Sequence, residues 1–309
     1  MLKTETPSAI HTRLDAYSIP ELVTAFANDQ LEAVRAVQSA AHEIAAAVEA
    51  AVPRIEAGGR LIYAGAGTSG RLGLMDSVEL YPTFSWPRDR AVALLAGGGK
   101  AVFEAVEGAE DNIEQGATDI AAVGTGPNDV VLLLASSGTT PYVLGALRAA
   151  RAAGALTIGI ANNINAPVAS EAHLGITLDT GSELISGSTR LKAGTSQKIT
   201  LNTFSSALMI RLNKIYGNLM VDVKPTNAKL IRRAVHLTML ATGTDEITAR
   251  KTLDQCAFQV KVAIVAIARN IDVRTAESRL AAAKGSVRNA MLAKEANSDA
   301  SQAAGPGKL

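Results

Sequence analysis

Two loops of the sequence carry hydroxyl side chains next to glycines, a combination that suits anion binding. They are residues 65–70 (GAGTSG) and 136–140 (SSGTT), and each follows an apolar run and precedes a helical pattern. Backbone N–H groups at a helix start, together with Ser and Thr hydroxyls, bind phosphate oxygens. Ordinary helix capping would explain one such loop, but two at one sheet edge favour a sugar-phosphate pocket. The candidate ligands are Thr68, Ser69, Ser136, Ser137 and Thr139.

The first loop also matches the G-x-G-x-x-G fingerprint of dinucleotide-binding proteins, with glycines at 65, 67 and 70. That interpretation requires an acidic residue at the end of the second strand, where it binds the ribose hydroxyls. The second strand is followed instead by residues 97–100 (GGGK), and Asp89 precedes it. The hydroxyls of Thr68 and Ser69 suit a phosphate monoester, so a dinucleotide is the weaker hypothesis.

Acidic residues gather on the helical patterns that follow the first two strands. Asp76 and Glu79 lie one turn apart on the first. Like charges at such spacing repel and raise one another's pKa, and one or two carboxyl groups at a pocket suffice for proton transfer. A solvated helix face would give the same pattern, so spacing alone does not choose among these acids. The second pattern carries Glu104, Glu107, Glu110, Asp111 and Glu114.

The composition of the 309 residues argues against several other kinds of chemistry. Thirty Lys and Arg against 29 Asp and Glu leave a net charge of +1, which gives no electrostatic footprint for nucleic acid or an anionic membrane. One cysteine and four scattered histidines form no disulfide or metal motif. Ser137 lacks the G-x-S-x-G context of a hydrolase nucleophile. No apolar run spans a bilayer and residues 1–8 carry no secretory signal, so we expect a cytoplasmic protein.

The middle of the chain alternates apolar runs with helical patterns, which is typical of a parallel sheet covered by helices on both faces. In such sheets ligands bind at the carboxyl ends of the strands. The expected strands are residues 61–64, 91–96, 130–135, 156–160 and 175–178. The longer expected helices are residues 29–55, 100–122, 188–216, 245–270 and 273–292.

Five segments of the sequence together resemble the N-acetylmuramic acid 6-phosphate etherases, over residues 20–293. The two segments nearest the C-terminus are specific to this family and to its relative, the glucokinase regulatory protein, whereas the glycine fingerprint is not. The segments are RLIYAGAGTSGRLGLMDSVELYPTF (60–84), AVEGAEDN (105–112), SSGTTPYV (136–143), GSELISGSTRLKAGTSQKITLN (181–202) and YGNLMVDVKPTN (216–227).

The resemblance implies an α/β fold with a defined domain organisation. We expect a three-layer α/β/α sugar isomerase (SIS) domain with a five-stranded parallel sheet, preceded by N-terminal helices and followed by a small all-helical module resembling a ubiquitin-associated (UBA) domain. The expected boundaries are 1–55 for the N-terminal helical segment, 56–222 for the SIS domain, 223–295 for the helical module and 296–309 for a disordered tail.

The resemblance also implies a lyase reaction that needs no metal or organic cofactor. The D-lactyl ether at C3 of N-acetylmuramic acid 6-phosphate would be eliminated and water added, giving N-acetylglucosamine 6-phosphate and D-lactate. Glu79 resembles the family's proton donor and Glu110 its second acid/base residue. Ser188, Thr189 and Lys192 lie in the family's most distinctive block. We expect them to complete the pocket in a homodimer, while helix capping and a surface lysine would also explain them.

Three positions depart from the family pattern. Thr139 stands where the family usually has Arg, whose bidentate fork binds phosphate and carboxylate strongly. Residues 4–8 lack the family's Asn, and Asn213 replaces a common Gly. Two alternative functions share the fold: a non-catalytic sugar-phosphate-binding regulator, which the retained acid pair disfavours, and an aldose–ketose sugar phosphate isomerase, which shares the abstraction of the C2 proton.

Overall fold

The five predicted apolar runs form one parallel sheet. The strands are β1 (Leu61–Gly65), β2 (Ala91–Leu95), β3 (Val130–Leu134), β4 (Leu156–Ala161) and β5 (Leu174–Thr177). Their order is β2-β1-β3-β4-β5. β2 therefore lies at one edge beside β1, and β4 and β5 lie on the other side, beyond β3. Every residue of β1, β3 and β4 is buried. Helices on both faces account for this burial and for the continuous apolar runs.

The computed structural model describes residues 2–223, 225 and 227–292. The chain divides into two compact units, Met1–Leu212 and Asn213–Leu309, and the sheet lies in the first. Over the described residues, no helix combines the length and the hydropathy that crossing a membrane would require. The tail expected at 296–309 lies outside the described residues.

Eight helices complete the first unit and cover the sheet in two layers. They are α1 (Ile19–Asp29), α2 (Leu31–Ser39), α3 (Ala41–Glu56), α4 (Gly67–Phe84), α5 (Ile113–Ala122), α6 (Pro141–Ala152), α7 (Pro167–Ser170) and α8 (Lys192–Arg211). On one face α5 and α6 pack together, and Tyr142 joins the apolar core with Ile62 and Val131. On the other face α3 and α4 contact α8, and Gly73 lies against Tyr63. The result is the expected three-layer α/β/α architecture.

The helix expected at 29–55 is broken, because Ala40 alone leaves helical geometry between α2 and α3. Both helices pack against α8, so the apolar periodicity continues across the break and does not reveal it. The helix expected at 188–216 is shorter than predicted and covers only α8. It ends before Asn213, which adopts a left-handed φ of 61°.

The helix expected at 100–122 starts only at α5, where the Asn112 side chain accepts a hydrogen bond from the N–H of Gln115 (2.9 Å). Within the expected range, Gly108 adopts a left-handed φ of 71°, which interrupts a continuous helix. The residues before α5 therefore form short 3-10 turns. One of these turns, Ala109–Asp111, carries Glu110, which the sequence had placed on a helix.

In the part of the second unit that the structure describes, the regular elements are helices, and they pack around an apolar core. Its helices are α9 (Ala228–Thr242), α10 (Glu246–Gln255), α11 (Val260–Arg269), α12 (Val273–Ala282) and α13 (Val287–Leu292). The two long helices expected in this region are each broken by residues with left-handed φ. These are Ala257 with Phe258 in the first helix and Lys284 with Gly285 in the second.

One ion pair ties the start of β1 to the start of β3. The Asp129 carboxylate accepts hydrogen bonds from the Arg60 guanidinium (2.7 and 3.2 Å), from the Arg60 N–H (2.8 Å) and from the Gly126 N–H (2.9 Å). Burial acts to raise the pKa of Asp129, but the hydrogen bonds outweigh it and hold that pKa below its ordinary value. The pair aligns the two strands whose far ends carry the hydroxyl loops.

We expect Asp129→Asn to lower the free energy of unfolding by about 2 kcal/mol at neutral pH, because the Arg60 guanidinium loses its counter-charge. A lowered folded pKa stabilises the protein above the unfolded pKa of Asp, about 3.9, and this contribution is lost as the pH falls through the folded value. The difference in Tm between wild type and variant should stay constant between about pH 5 and pH 8 and narrow below about pH 4.

The matched control is Glu171→Gln, which removes an exposed carboxylate paired with Arg148 in the same unit. Such a surface pair contributes at most about 1 kcal/mol. Thermal unfolding of the three proteins provides the comparison. If Asp129→Asn destabilises no more than Glu171→Gln, the structural role assigned to the Arg60–Asp129 pair is wrong.

Candidate active site

The two hydroxyl-bearing loops meet where the strand order of the sheet reverses. β1 and β3 are hydrogen-bonded neighbours, and residues 65–70 and 136–140 follow their carboxyl ends. The chain leaves this pair of strands toward opposite edges of the sheet. Open parallel sheets bind ligands in the crevice beside such a reversal, so the space between the two loops is the candidate binding crevice.

Glycines let the loops approach their neighbours closely. A Cβ on Gly70 would lie 2.6 Å from the Gly65 carbonyl oxygen, and a Cβ on Gly138 would lie 2.2 Å from the Ala166 Cβ. Ala66 precedes α4 and has no side chain that could cap its first N–H groups. An uncapped start of an 18-residue helix attracts anionic oxygens, because its N–H groups and its dipole both favour negative charge.

The predicted hydroxyl ligands of the two loops form hydrogen-bonded pairs. The Oγ atoms of Ser69 and Ser136 are 3.3 Å apart, and both residues are buried. In the second loop, the Ser137 Oγ accepts hydrogen bonds from the N–H and the hydroxyl of Thr139, each 3.2 Å long. The structure thus joins the two loops through Ser69 and Ser136, and it leaves the Thr139 side chain exposed.

Two buried amides support the Ser69–Ser136 pair, and the sequence did not single them out. Gln197 of α8 donates from Nε2 to the Ser136 Oγ (3.1 Å) and to the Asn162 Oδ1 (3.0 Å). Both amide residues are fully buried. One feature of the sequence could have indicated them. The start of α8 is polar, and because this helix packs on the sheet, its polar side chains need hydrogen-bond partners.

The N-terminal segment is a further part of this sheet edge. Thr4 is fully buried, and its Oγ1 accepts a hydrogen bond from the Asn163 Nδ2 (3.0 Å). The same Nδ2 lies 3.0 Å from the Ser136 carbonyl oxygen, to which it donates. The Thr4 carbonyl accepts from the Gly187 N–H (3.1 Å). Thr4 therefore connects the second hydroxyl loop with the turn before α8, a role the sequence did not indicate.

The turn before α8 carries the predicted ligands Ser188 and Thr189, both half-buried. The Gly194 N–H donates to the Thr189 carbonyl (2.9 Å). A Cβ on Gly194 would lie 3.5 Å from the Thr68 Cγ2. The start of α8 thus brings Thr68 and Thr189 to the same place, while Ser188 contributes backbone hydrogen bonds within the turn.

Lys192, also predicted as a ligand, forms an ion pair within the first unit. Its ammonium pairs with the Asp29 carboxylate of α1 (2.7 Å), and its side chain is only 6% exposed. The Glu183 carboxylate accepts hydrogen bonds from the N–H groups of Lys192 (3.2 Å) and Ala193 (2.9 Å) and so caps α8. Burial raises the pKa of Glu183, and these hydrogen bonds offset only part of that effect. Lys192 anchors α8 to α1 and presents no free cation.

The two acids of α4 lie in opposite environments. Asp76 is buried and accepts hydrogen bonds from the Tyr63 hydroxyl (2.8 Å), the Asn202 Nδ2 (3.1 Å) and the Ser205 hydroxyl (3.1 Å). Burial raises the pKa of Asp76 despite these hydrogen bonds. Asp76 ties α4 to β1 and α8, which leaves Glu79 as the exposed acid of the pair.

Glu79 and Glu110 are both exposed. Among residues 2–223, 225 and 227–292, neither carboxylate has a hydrogen-bond or ion-pair partner. Met75 and Val78, beside Glu79 on α4, are exposed apolar residues. Carboxyl groups that no protein group engages are available to exchange protons with a bound molecule.

The described chain contains no group of three or more His, Cys, Asp or Glu side chains arranged to hold a metal. His173 has an ordinary structural contact, since its Nδ1 lies 2.7 Å from the Thr157 Oγ1. Cys256 is a buried thiol of the helical unit. The groups that this sheet edge offers to a ligand are hydroxyls, amides, helix N–H groups and carboxylates.

Known proteins with the expected fold and family are similar to this chain over most of its length. Residues 43–151 match the model of the glucokinase regulatory protein N-terminal SIS domain, and residues 119–207 match the SIS domain model. The chain is 55% identical to the N-acetylmuramic acid 6-phosphate etherase of Deinococcus radiodurans, over 94% of this chain and 95% of that protein.

Two further relatives carry the same name. The protein of Rubrobacter xylanophilus is 46% identical, over 94% of this chain and 96% of its own length. The protein of Salmonella agona is 44% identical, over 94% of this chain and 98% of its own length. Identity at this level over nearly the whole length, together with the SIS fold, shows that the chain belongs to the N-acetylmuramic acid 6-phosphate etherase family.

Proposed function

We propose that the protein is a carbon–oxygen lyase that cleaves the D-lactyl ether of N-acetylmuramic acid 6-phosphate. The products are N-acetylglucosamine 6-phosphate and D-lactate. The observation that carries this proposal is family membership over 94% of the chain. The family resemblance of the segments that contain Glu79 and Glu110 supports their assignment as its two glutamates. This reaction belongs to amino-sugar metabolism, in the recycling of cell-wall peptidoglycan.

The chemistry follows from the substrate and from two carboxyl groups. Ring opening places an aldehyde at C1, which acidifies the proton on C2. One carboxylate removes that proton, the C3–O bond breaks, and a carboxylic acid protonates the departing lactyl oxygen. Water then adds at C3 of the unsaturated intermediate and restores the hydroxyl. Glu79 is our candidate for the proton donor and Glu110 for the second acid/base residue.

The phosphate is assigned to the crevice between the two hydroxyl loops. The uncapped start of α4 and the Ser69–Ser136 pair support this placement, because both offer hydrogen-bond donors to anionic oxygens. Thr68, Ser137, Thr139, Ser188 and Thr189 are proposed contacts for the phosphate or the sugar hydroxyls.

We also propose a cytoplasmic homodimer in which the second subunit closes the site. Ile19 and Val23 of α1 are 73% and 63% exposed, and Met75 and Val78 of α4 are 44% and 58% exposed. Large apolar side chains exposed in number are typical of an interface. Met75 and Val78 lie just before Glu79 on α4, and Glu79 has no partner among the described residues. A chain with one cysteine also fits a reducing compartment.

The first test is lactate release. Purified wild-type protein should release D-lactate from N-acetylmuramic acid 6-phosphate, and Glu79→Gln and Glu110→Gln should each lower kcat by at least about 100-fold, because a proton-transfer group is lost. Thermal unfolding should change little, since both side chains are exposed and unpaired. Glu104→Gln, at an exposed position on the same chain segment as Glu110, is the matched control.

The alternatives predict different outcomes in the same assay. Exchange of solvent deuterium into C2 without lactate would indicate an aldose–ketose isomerase. Binding of amino-sugar phosphates without turnover would indicate a regulator. Wild-type protein that releases no lactate contradicts the etherase proposal.

A second test restores the arginine that the family usually has at position 139. Thr139 is exposed, so Thr139→Arg should fold normally. A bidentate guanidinium in this loop should lower KM for the substrate by about tenfold, because hydrogen bonds between charged groups are among the stronger ones. Thr139→Lys, a point charge, should have a smaller effect. An unchanged KM for Thr139→Arg would place residue 139 outside the substrate contacts.

The dimer is tested with Val78→Asp, which puts a charge into the exposed apolar surface of α4. We expect light scattering to show a dimer for wild type and a monomer for the variant, because burying an unpaired carboxylate in an interface is costly. Ile247→Asp, at an 80% exposed position in the second unit, is the control and should remain a dimer. A dimeric Val78→Asp protein would show that this face of α4 lies outside the interface.

A further inference from the structure

Gln197 belongs to a chain of hydrogen bonds that begins at backbone carbonyls and ends at the Ser69–Ser136 pair. The Asn162 Nδ2 donates to the Leu178 carbonyl (3.1 Å) and to the Ser196 Oγ (2.8 Å). Ser196 in turn donates to the Ala193 carbonyl (2.7 Å). Carbonyl oxygens only accept hydrogen bonds, so they fix which end of the Asn162 amide carries the hydrogens.

The direction of both hydrogen bonds of Gln197 follows from that fixed amide. Because the NH2 group of Asn162 faces Leu178 and Ser196, its Oδ1 faces Gln197. An oxygen cannot donate, so Gln197 must present its own NH2 group. One of its N–H bonds goes to the Asn162 Oδ1 (3.0 Å) and the other to the Ser136 Oγ (3.1 Å). Ser136 is therefore an acceptor toward Gln197.

The hydroxyl pair is left with one hydrogen to give away. Ser69 and Ser136 together have two hydroxyl hydrogens, and a single contact of 3.3 Å joins their oxygens. One hydrogen occupies that contact, and the other has no acceptor among the described residues. If Gln197 accepted instead of donating, both hydrogens would be used within the protein and the pair would offer only lone pairs.

We propose that Gln197 is a positioning residue that leaves the Ser69–Ser136 pair with one hydrogen to donate and thereby favours the binding of a phosphate oxygen in this crevice. An ionised phosphate oxygen accepts hydrogen bonds and cannot donate them. The free hydrogen of the pair therefore matches an anionic oxygen, whereas a pair that offered only lone pairs would repel it. The inference rests on the proposed phosphate position, and it adds the residue that sets the selectivity there.

The burial of these side chains keeps their hydrogen bonds in the directions described. Gln197 and Asn162 are fully buried, and Ser69 and Ser136 nearly so. No water shell is available to reorient these side chains. The backbone carbonyls therefore fix which groups donate and which accept along the chain of hydrogen bonds, as far as Ser136. No lysine or arginine is hydrogen-bonded to Ser69 or Ser136 in the described chain. Selectivity at this pair therefore depends on the direction of its hydrogens.

Two variants at position 197 test the proposal. Gln197→Met keeps the length of the side chain and removes both donors. It should raise KM for the sugar phosphate, and the inhibition constant of inorganic phosphate, by about tenfold or more, while kcat changes less than about twofold. Gln197→Glu has an acceptor in place of the donor when it is ionised, so its KM should rise further at alkaline pH.

The pH dependence of Gln197→Glu distinguishes hydrogen-bond direction from packing. Burial raises the pKa of a carboxyl group, and a protonated Glu can again donate to Ser136. The ratio of variant to wild-type KM should therefore fall as the pH is lowered from about 8 to about 6. A defect caused by packing alone would leave this ratio constant.

Thr200→Val is the matched control, because Thr200 is also fully buried on α8 and its Oγ1 has no hydrogen-bond partner among the described residues. Calorimetry with inorganic phosphate and with N-acetylglucosamine 6-phosphate reports binding without turnover. A Gln197→Met protein that binds phosphate as wild type does, or that loses kcat instead of affinity, overturns the inference. Absence of lactate release by wild-type protein would instead refute the proposed reaction, while phosphate binding could still be measured.

Discussion

Polar side chains buried between α8 and the carboxyl edge of the sheet impose the constraint on which the rest of the site depends. A buried amide or hydroxyl is costly unless its hydrogen bonds are made, so each of these groups fixes the position of the next. The backbone carbonyl of Leu178 orients Asn162, and Asn162 orients Gln197. Gln197 reaches Ser136 in the opposite loop. The helix cannot slide along the sheet without breaking several of these bonds at once.

The start of α8 is held from outside by charged groups. Glu183 caps its first N–H groups, and Lys192 pairs with Asp29 at the end of α1. Burying charge is tolerable here because each carboxylate has a donor and the ammonium has a carboxylate. The N-terminal helices thus help to position α8, although they contribute no strand to the sheet. The crevice depends in this way on residues from both ends of the first unit.

The proposed binding groups and the proposed acid groups occupy different environments, and their chemistry requires this. The hydroxyl pair is buried and its position is fixed, which suits a group that donates a hydrogen bond to a phosphate oxygen. Glu79 and Glu110 are exposed and have no partner in the part of the chain that the structure describes, which suits groups that must exchange protons during a reaction. On α4 the division occurs within one helical turn. Asp76 faces inward, where its hydrogen bonds hold the helix, and Glu79 lies at the surface.

The sequence by itself determined the parallel sheet, the two hydroxyl loops and the family, because continuous apolar runs and short motifs are local properties of the chain. It did not reveal the breaks at Ala40 or before Ile113. Apolar periodicity continues through the first break, and the left-handed φ of Gly108 causes the second. It proposed Lys192 as a ligand, and only the fold supplied Asp29 as its partner. Gln197, Asn162 and Thr4 were invisible because their partners lie far away in the chain. The direction in which a buried hydroxyl points depends on which acceptors surround it, and only the tertiary structure brings those acceptors together.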